Sequence, residues 1–154
     1  MNSKIIFSVV VIVVVGGLLL WGKTNQKQVV QYWPETSIAC LSNGHQNLAL
    51  HIHSRLLITK NNQNVDIPAN IGISSDCMAE VHTHDSTGEI HIESIEGDQK
   101  FALKQFFEVW GEDFDWSQDG ISMTVNGQKN SEYENYIMKD HDVIEINFNN
   151  NIIN

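Results

Sequence analysis

The sequence predicts a mainly β protein of the α+β kind, one β-rich domain behind an N-terminal transmembrane helix. Three observations carry this. The chain opens on a charge-free apolar run. Several short stretches alternate apolar and polar residues. One stretch alone has helical spacing. The 154 residues suit one domain plus an appendage. With 42% hydrophobic and 18% charged residues, most of the chain can bury a core and fold. A net charge of -10 excludes the basic footprint that nucleic acid requires, so no nucleic-acid partner is expected. Two Pro and two Cys exclude a collagen-like chain, a Cys-rich zinc ribbon and a dense disulfide scaffold.

Ile5 to Trp21 carries no charge and at helical rise spans about 26 Å, enough for a bilayer core with Lys4 and Lys23 at its ends. Trp21 suits an interface. The run ends at Leu20-Trp21-Gly22-Lys23 without a small-x-small site, which favours an uncleaved signal anchor over a cleaved signal peptide. The expected organisation is an anchor over 1–22, a polar linker over 23–37, a domain over 38–148 and a frayed tail over 149–154. Lys4 and the amine on one side are balanced by Lys23 and Lys27 on the other, so basic residues barely set the orientation. A short N-terminal tail that stays inside would put the domain outside the cytosol, on a single-pass protein of the cell membrane. The even cysteine count agrees: Cys40 and Cys77 are consistent with one extracytoplasmic disulfide, the alternative being two buried thiols.

Leu48 to Ile58 reads as a strand with Leu48, Leu50, Ile52, Leu56 and Ile58 on one face and Ala49, His51, His53 and Arg55 on the other. Asn61 to Asn64 reads as a turn. Val65-Asp66-Ile67 resumes the strand, and Pro68 marks an edge or an end. Glu80 to His84 and Glu89 to Ser94 read as strands around a hairpin loop, Asp85 to Gly88. Leu103, Phe106, Phe107 and Trp110 fall at i, i+3, i+4 and i+7 before Gly111, a helix whose stripe packs a core. The remainder reads as a strand, an Asn126-Gly127 turn, a second strand, a turn over Lys139 to Asp142 and a strand over Val143 to Ile146.

Histidines mark where chemistry is expected. His51-x-His53, His82-x-His84 and His91-x-Glu93 are pairs at i, i+2, so each pair points to one side of its strand, opposite Leu50 and Ile52, Val81, and Ile90 and Ile92. Five of the seven histidines fall between His51 and His91. Imidazole is the commonest metal ligand, and converging rings suit zinc, copper, nickel or iron. The expected ligands are His82 and His84 first, then His91, His51 and His53, with Glu93 and Asp85 as carboxylate ligands or as groups that orient them. Without a thiolate among them, divalent copper or zinc is the expected cofactor. A blue-copper-like set with Cys77 and Met78 near His82 requires a free Cys77. His45 and His141 read as loop residues. The competing readings are a histidine cluster for a non-metal ligand or for pH sensing, and a merely solvated polar face.

Four blocks in order, HIHSRLLI, NVDIPANIGI, HTHDSTGEIHIES after Cys77, and FALKQFFEVWG, resemble an uncharacterised family of membrane-anchored archaeal and bacterial proteins over about residues 40–111. The resemblance implies an extracytoplasmic domain with His51, His53, His82, His84 and His91 in one site, and supplies no established activity. Arg55 stands where family members often carry another histidine. The C-terminal block resembles β-grasp-like ligand-binding modules. His82-x-His84-x4-Glu89 also matches the short half of a cupin motif, without its glycines or its second half. No GxSxG, HExxH or phosphate-cradling loop occurs, so any catalysis would be metal-assisted. The leading expectation is an anchored extracytoplasmic protein that holds or delivers a metal. The alternatives are an accessory subunit docking on a larger membrane complex, motivated by the C-terminal block and the aromatic helix, and a metal-dependent enzyme acting on a small substrate.

Overall fold

The computed structural model describes residues 30–41, 44–117 and 120–148. The apolar N-terminal run and the tail after residue 148 lie outside the described residues. Among the described residues no helix is long and apolar enough to cross a membrane.

Alternation places β1 over Leu50–Lys60, two residues later at both ends than the pattern predicts. Leu56 and Ile58 are buried and Arg55 and Leu57 exposed, as the two-residue period requires. Asn61 and Asn62 take φ of 52° and 62°, the left-handed pair of a tight hairpin turn, and return the chain into β2, Gln63–Val65. The stretch Glu80 to His84 yields only β3, Val81–His82. Beyond it the Thr83 N–H donates to the Ile71 carbonyl at 3.0 Å and its hydroxyl to the Pro68 carbonyl at 2.9 Å, so the backbone leaves the ladder for the 68–71 loop. β4 covers Glu89–Ser94 as expected.

Helix α1 spans Leu103–Trp110. Gln105 accepts from the Ala102 N–H at 2.7 Å, and Gly111 closes the helix with φ 77° and an N–H donated to the Phe107 carbonyl at 2.9 Å. β5, Ile121–Val125, turns through Asn126 and Gly127 into β6, Gln128–Asn130. A 3-10 turn over Tyr133–Asn135 precedes β7, Asp142–Phe148.

These strands form one sheet in the order β3-β4-β1-β7-β5-β6, with β2 added against β1. The central pair, β1 and β7, is parallel, with Ser54 opposite Asp142 and Lys60 opposite Phe148; the other pairs are antiparallel. Leu56, Ile58, Ile90, Ile92, Ile144, Ile146 and Met123 share one core with Leu103, Phe106, Phe107 and Val109 of α1. The helix therefore covers the apolar face, and the polar alternate positions face away from it.

The end of the stretch read as a linker belongs to this fold. Trp33 donates its N–H to the Ile38 carbonyl at 2.8 Å and packs on the core, while Ile38 itself is buried. This segment lies beside the start of β3 through a Cys40–Ala79 bridge. Cys40 and Cys77 are joined in a disulfide. Cys77 therefore offers no thiolate, which removes the blue-copper-like set.

Candidate metal centre

Strand register aligns the histidines. Across the β1–β4 ladder His53 lies opposite His91 and His51 opposite Glu93, and across β3–β4 His82 lies opposite His91. One row of three imidazoles thus crosses three strands on the face away from α1. Ring centroids are 4.5 Å apart for His53 and His91, 5.4 Å for His82 and His91, which stack, and 4.8 Å for His51 and His53. His84, just past β3, lies 4.8 Å from His82 and 4.5 Å from His91.

His45 joins them, although the sequence reads it as a loop residue. Its ring is 6.0 Å from His82 and 5.4 Å from His84, and its Nδ1–H donates to Glu93 at 2.9 Å from Oε1 and 2.8 Å from Oε2. Period and alternation are silent on an isolated histidine beside a glycine. The signal was in the cysteines: His45 follows Cys40 by five residues as His82 follows Cys77, so the disulfide sets the two histidines in neighbouring segments. His141 stays apart: its ring is largely exposed and 3.3 Å from Asp140.

Glu93 is fully buried beneath this surface. Besides His45, His51 Nε2 lies 3.2 Å and His91 Nδ1 4.0 Å from its Oε1. Carboxylates in this position fix the ring orientation of metal-binding histidines and raise their basicity. Glu80, in line with Glu93 and also buried, accepts from the Ser94 hydroxyl at 2.7 Å; burial raises its pKa above the ordinary value. Asp85, expected as a ligand or an orienting group, instead accepts from the Thr87 N–H and hydroxyl at 2.9 and 2.6 Å. Those bonds hold its pKa below the usual carboxylate range and commit it to the hairpin loop. Glu89 of the cupin-like spacing is half exposed, 3.6 Å from His91 Nε2.

The tautomer of His82 is fixed by its surroundings. Its Nδ1–H donates to the Ala79 carbonyl at 2.8 Å, which leaves the Nε2 lone pair facing His84 Nε2 at 3.2 Å. Burial depresses its pKa to about 3, so the ring is neutral and ready to ligate. At metal–nitrogen distances of about 2.0–2.1 Å, two ligands at the tetrahedral angle stand roughly 3.3–3.4 Å apart. The His82–His84 pair, at 3.2 Å, is close to that separation. Burial, then the His84 and His53 rings, lower the pKa of His91 as well. Among the described residues His91 Nδ1 is the buried side-chain nitrogen or oxygen without a hydrogen-bond partner. A buried imidazole nitrogen with no hydrogen-bond partner, among other imidazoles, is an atom that could ligate a cation.

Three sets of side chains bring one ligand atom each within 4.8 Å of one another: His45, His82 and His84; His51, His53 and His91; and His82, His91 and Glu93. All three are nitrogen or mixed nitrogen and oxygen donor sets suited to borderline divalent metals. Asp85 and Glu89 are in none of them. No family model, curated protein or solved structure matches this chain.

Proposed function

We propose that this chain is an extracytoplasmic metal-binding protein, anchored through its N-terminal apolar run, that holds or delivers divalent copper or zinc. The observation that carries the reading is the convergence of six imidazoles, four of them near buried Glu93, with His82 already in the neutral tautomer that ligates. The Cys40–Cys77 disulfide supports an oxidising compartment. A net charge of -10 favours approach of cations. The resemblance to a membrane-anchored family points to the same compartment.

The strand order supports a finer reading, a β-grasp-like arrangement. Its first and last major strands, β1 and β7, are parallel at the centre, antiparallel β4 and β5 flank them, and the helix falls between β4 and β5 in sequence. Such modules present a sheet face or edge to a ligand or partner, which leaves a second role as an accessory subunit of a membrane complex.

His82 and His91 between them belong to all three donor sets. The test is metal content of the full chain, expressed without a histidine tag by an extracytoplasmic route, for wild type and His82→Ala/His91→Ala. Stoichiometric copper or zinc in the wild type, absent in a variant with unchanged circular dichroism, is expected. No metal in the wild type after incubation with copper and zinc, or equal metal in the variant, would reject the function.

A further inference from the structure

We propose that the histidine face holds two metal ions, in neighbouring three-histidine sites joined through Glu93; this deepens the metal-binding reading and rests on it. His45, His82 and His84 share no residue with His51, His53 and His91, and each set is compact by itself. Three nitrogens satisfy a divalent zinc or copper ion except for one position, which solvent fills. The two sets meet where the His91 ring lies 4.5 Å from His84 and 5.4 Å from His82.

Glu93 makes them one unit. It takes His45 of the first set at 2.8 Å and His51 of the second at 3.2 Å. A single buried carboxylate thus orients one ligand of each site. It also places a negative charge under two cations, where mutual repulsion would otherwise weaken the second binding step. Outside the rings, Glu89 stands 3.6 Å from His91, and Asp140 accepts from the His53 N–H at 3.0 Å. The competing arrangement is one ion on His82, His91 and Glu93, which takes a histidine from each set and so forbids both.

Copper(II) distinguishes the two. The full chain is titrated, desalted and measured for bound copper by elemental mass spectrometry and for unpaired spins by electron paramagnetic resonance. Two copper ions per chain are expected, with a dipolar or exchange signature between them that isolated copper lacks. His84→Gln and His53→Gln, both outside the buried core, should each bind one copper without that signature, and the double variant none. One copper in the wild type, lost in His82→Ala/His91→Ala, would overturn the pair and keep the metal-binding function. Two magnetically isolated ions unaffected by His84→Gln and His53→Gln would overturn it as adventitious binding. No copper and no zinc in the wild type would overturn the function along with the pair.

Discussion

His82 should make the metal-free protein acid-labile in a way that a single substitution removes. Its pKa is about 3 when folded and 6.5 when unfolded, because burial penalises the imidazolium. Above pH 6.5 neither state holds the extra proton and nothing is lost. Between pH 6.5 and 3 only the unfolded chain takes it up, so stability falls with pH at about 1.4 kcal/mol per unit. The loss from this group is about 2 kcal/mol at pH 5 and on the order of 5 kcal/mol at its limit near pH 3. At a urea slope of about 2 kcal/mol/M, the pH 5 loss moves the midpoint by about 1 M relative to pH 7.5. His91 is shifted the same way, whereas Glu80, raised by burial, works oppositely above its unfolded pKa. Both remain in His82→Asn, so the difference between the two proteins isolates His82. The assay is urea unfolding of chelator-treated protein from pH 7.5 to 4.5. Wild type should lose stability more steeply than His82→Asn by about one linked proton. Parallel curves would refute the reasoning.

Three further outcomes are expected. Reducing Cys40–Cys77, or changing both to Ser, releases a separation of 37 residues; chain entropy predicts a loss of about 4 kcal/mol in urea unfolding, with weaker metal binding as His45 loses its tether. Gly88→Ala puts a Cβ 2.4 Å from the Leu56 carbonyl oxygen at φ 80°, and should cost about 1–3 kcal/mol by thermal melting, more than Gly127→Ala, which meets nothing within 4 Å. Glu93→Gln keeps the shape but removes a carboxylate from His45 and His51, and competition with a chelating dye should show affinity about 10–100-fold weaker.

Local rules made much of this legible from the residues. The alternation of β1, the limits of β4 and the helix ending at Gly111 each follow from a period and a stop within one segment. The shared side of His51, His53, His82 and His91 followed in the same way, because the period-two rule holds before any partner strand is known. What stayed hidden depends on distant pairing. Nothing local makes β7 parallel to β1, and it is this pair that leaves β4 and β3 on one side of the sheet. The segment around Trp33 and Ile38 is polar in composition and owes its place to packing on the core. His45 enters through a disulfide and a buried carboxylate, neither of which has a period. Asp85 has the composition of a ligand, but a loop two residues long in its reach to Thr87 claims its oxygens first.

X-ray absorption at the metal edge of the loaded full chain tests the central claim most directly. Binding through the histidine face predicts a nitrogen and oxygen shell at about 2.0–2.1 Å for zinc, with the outer-shell scattering of several imidazoles and no sulfur. A sulfur shell near about 2.3 Å, or an oxygen shell lacking imidazole scattering, would contradict it.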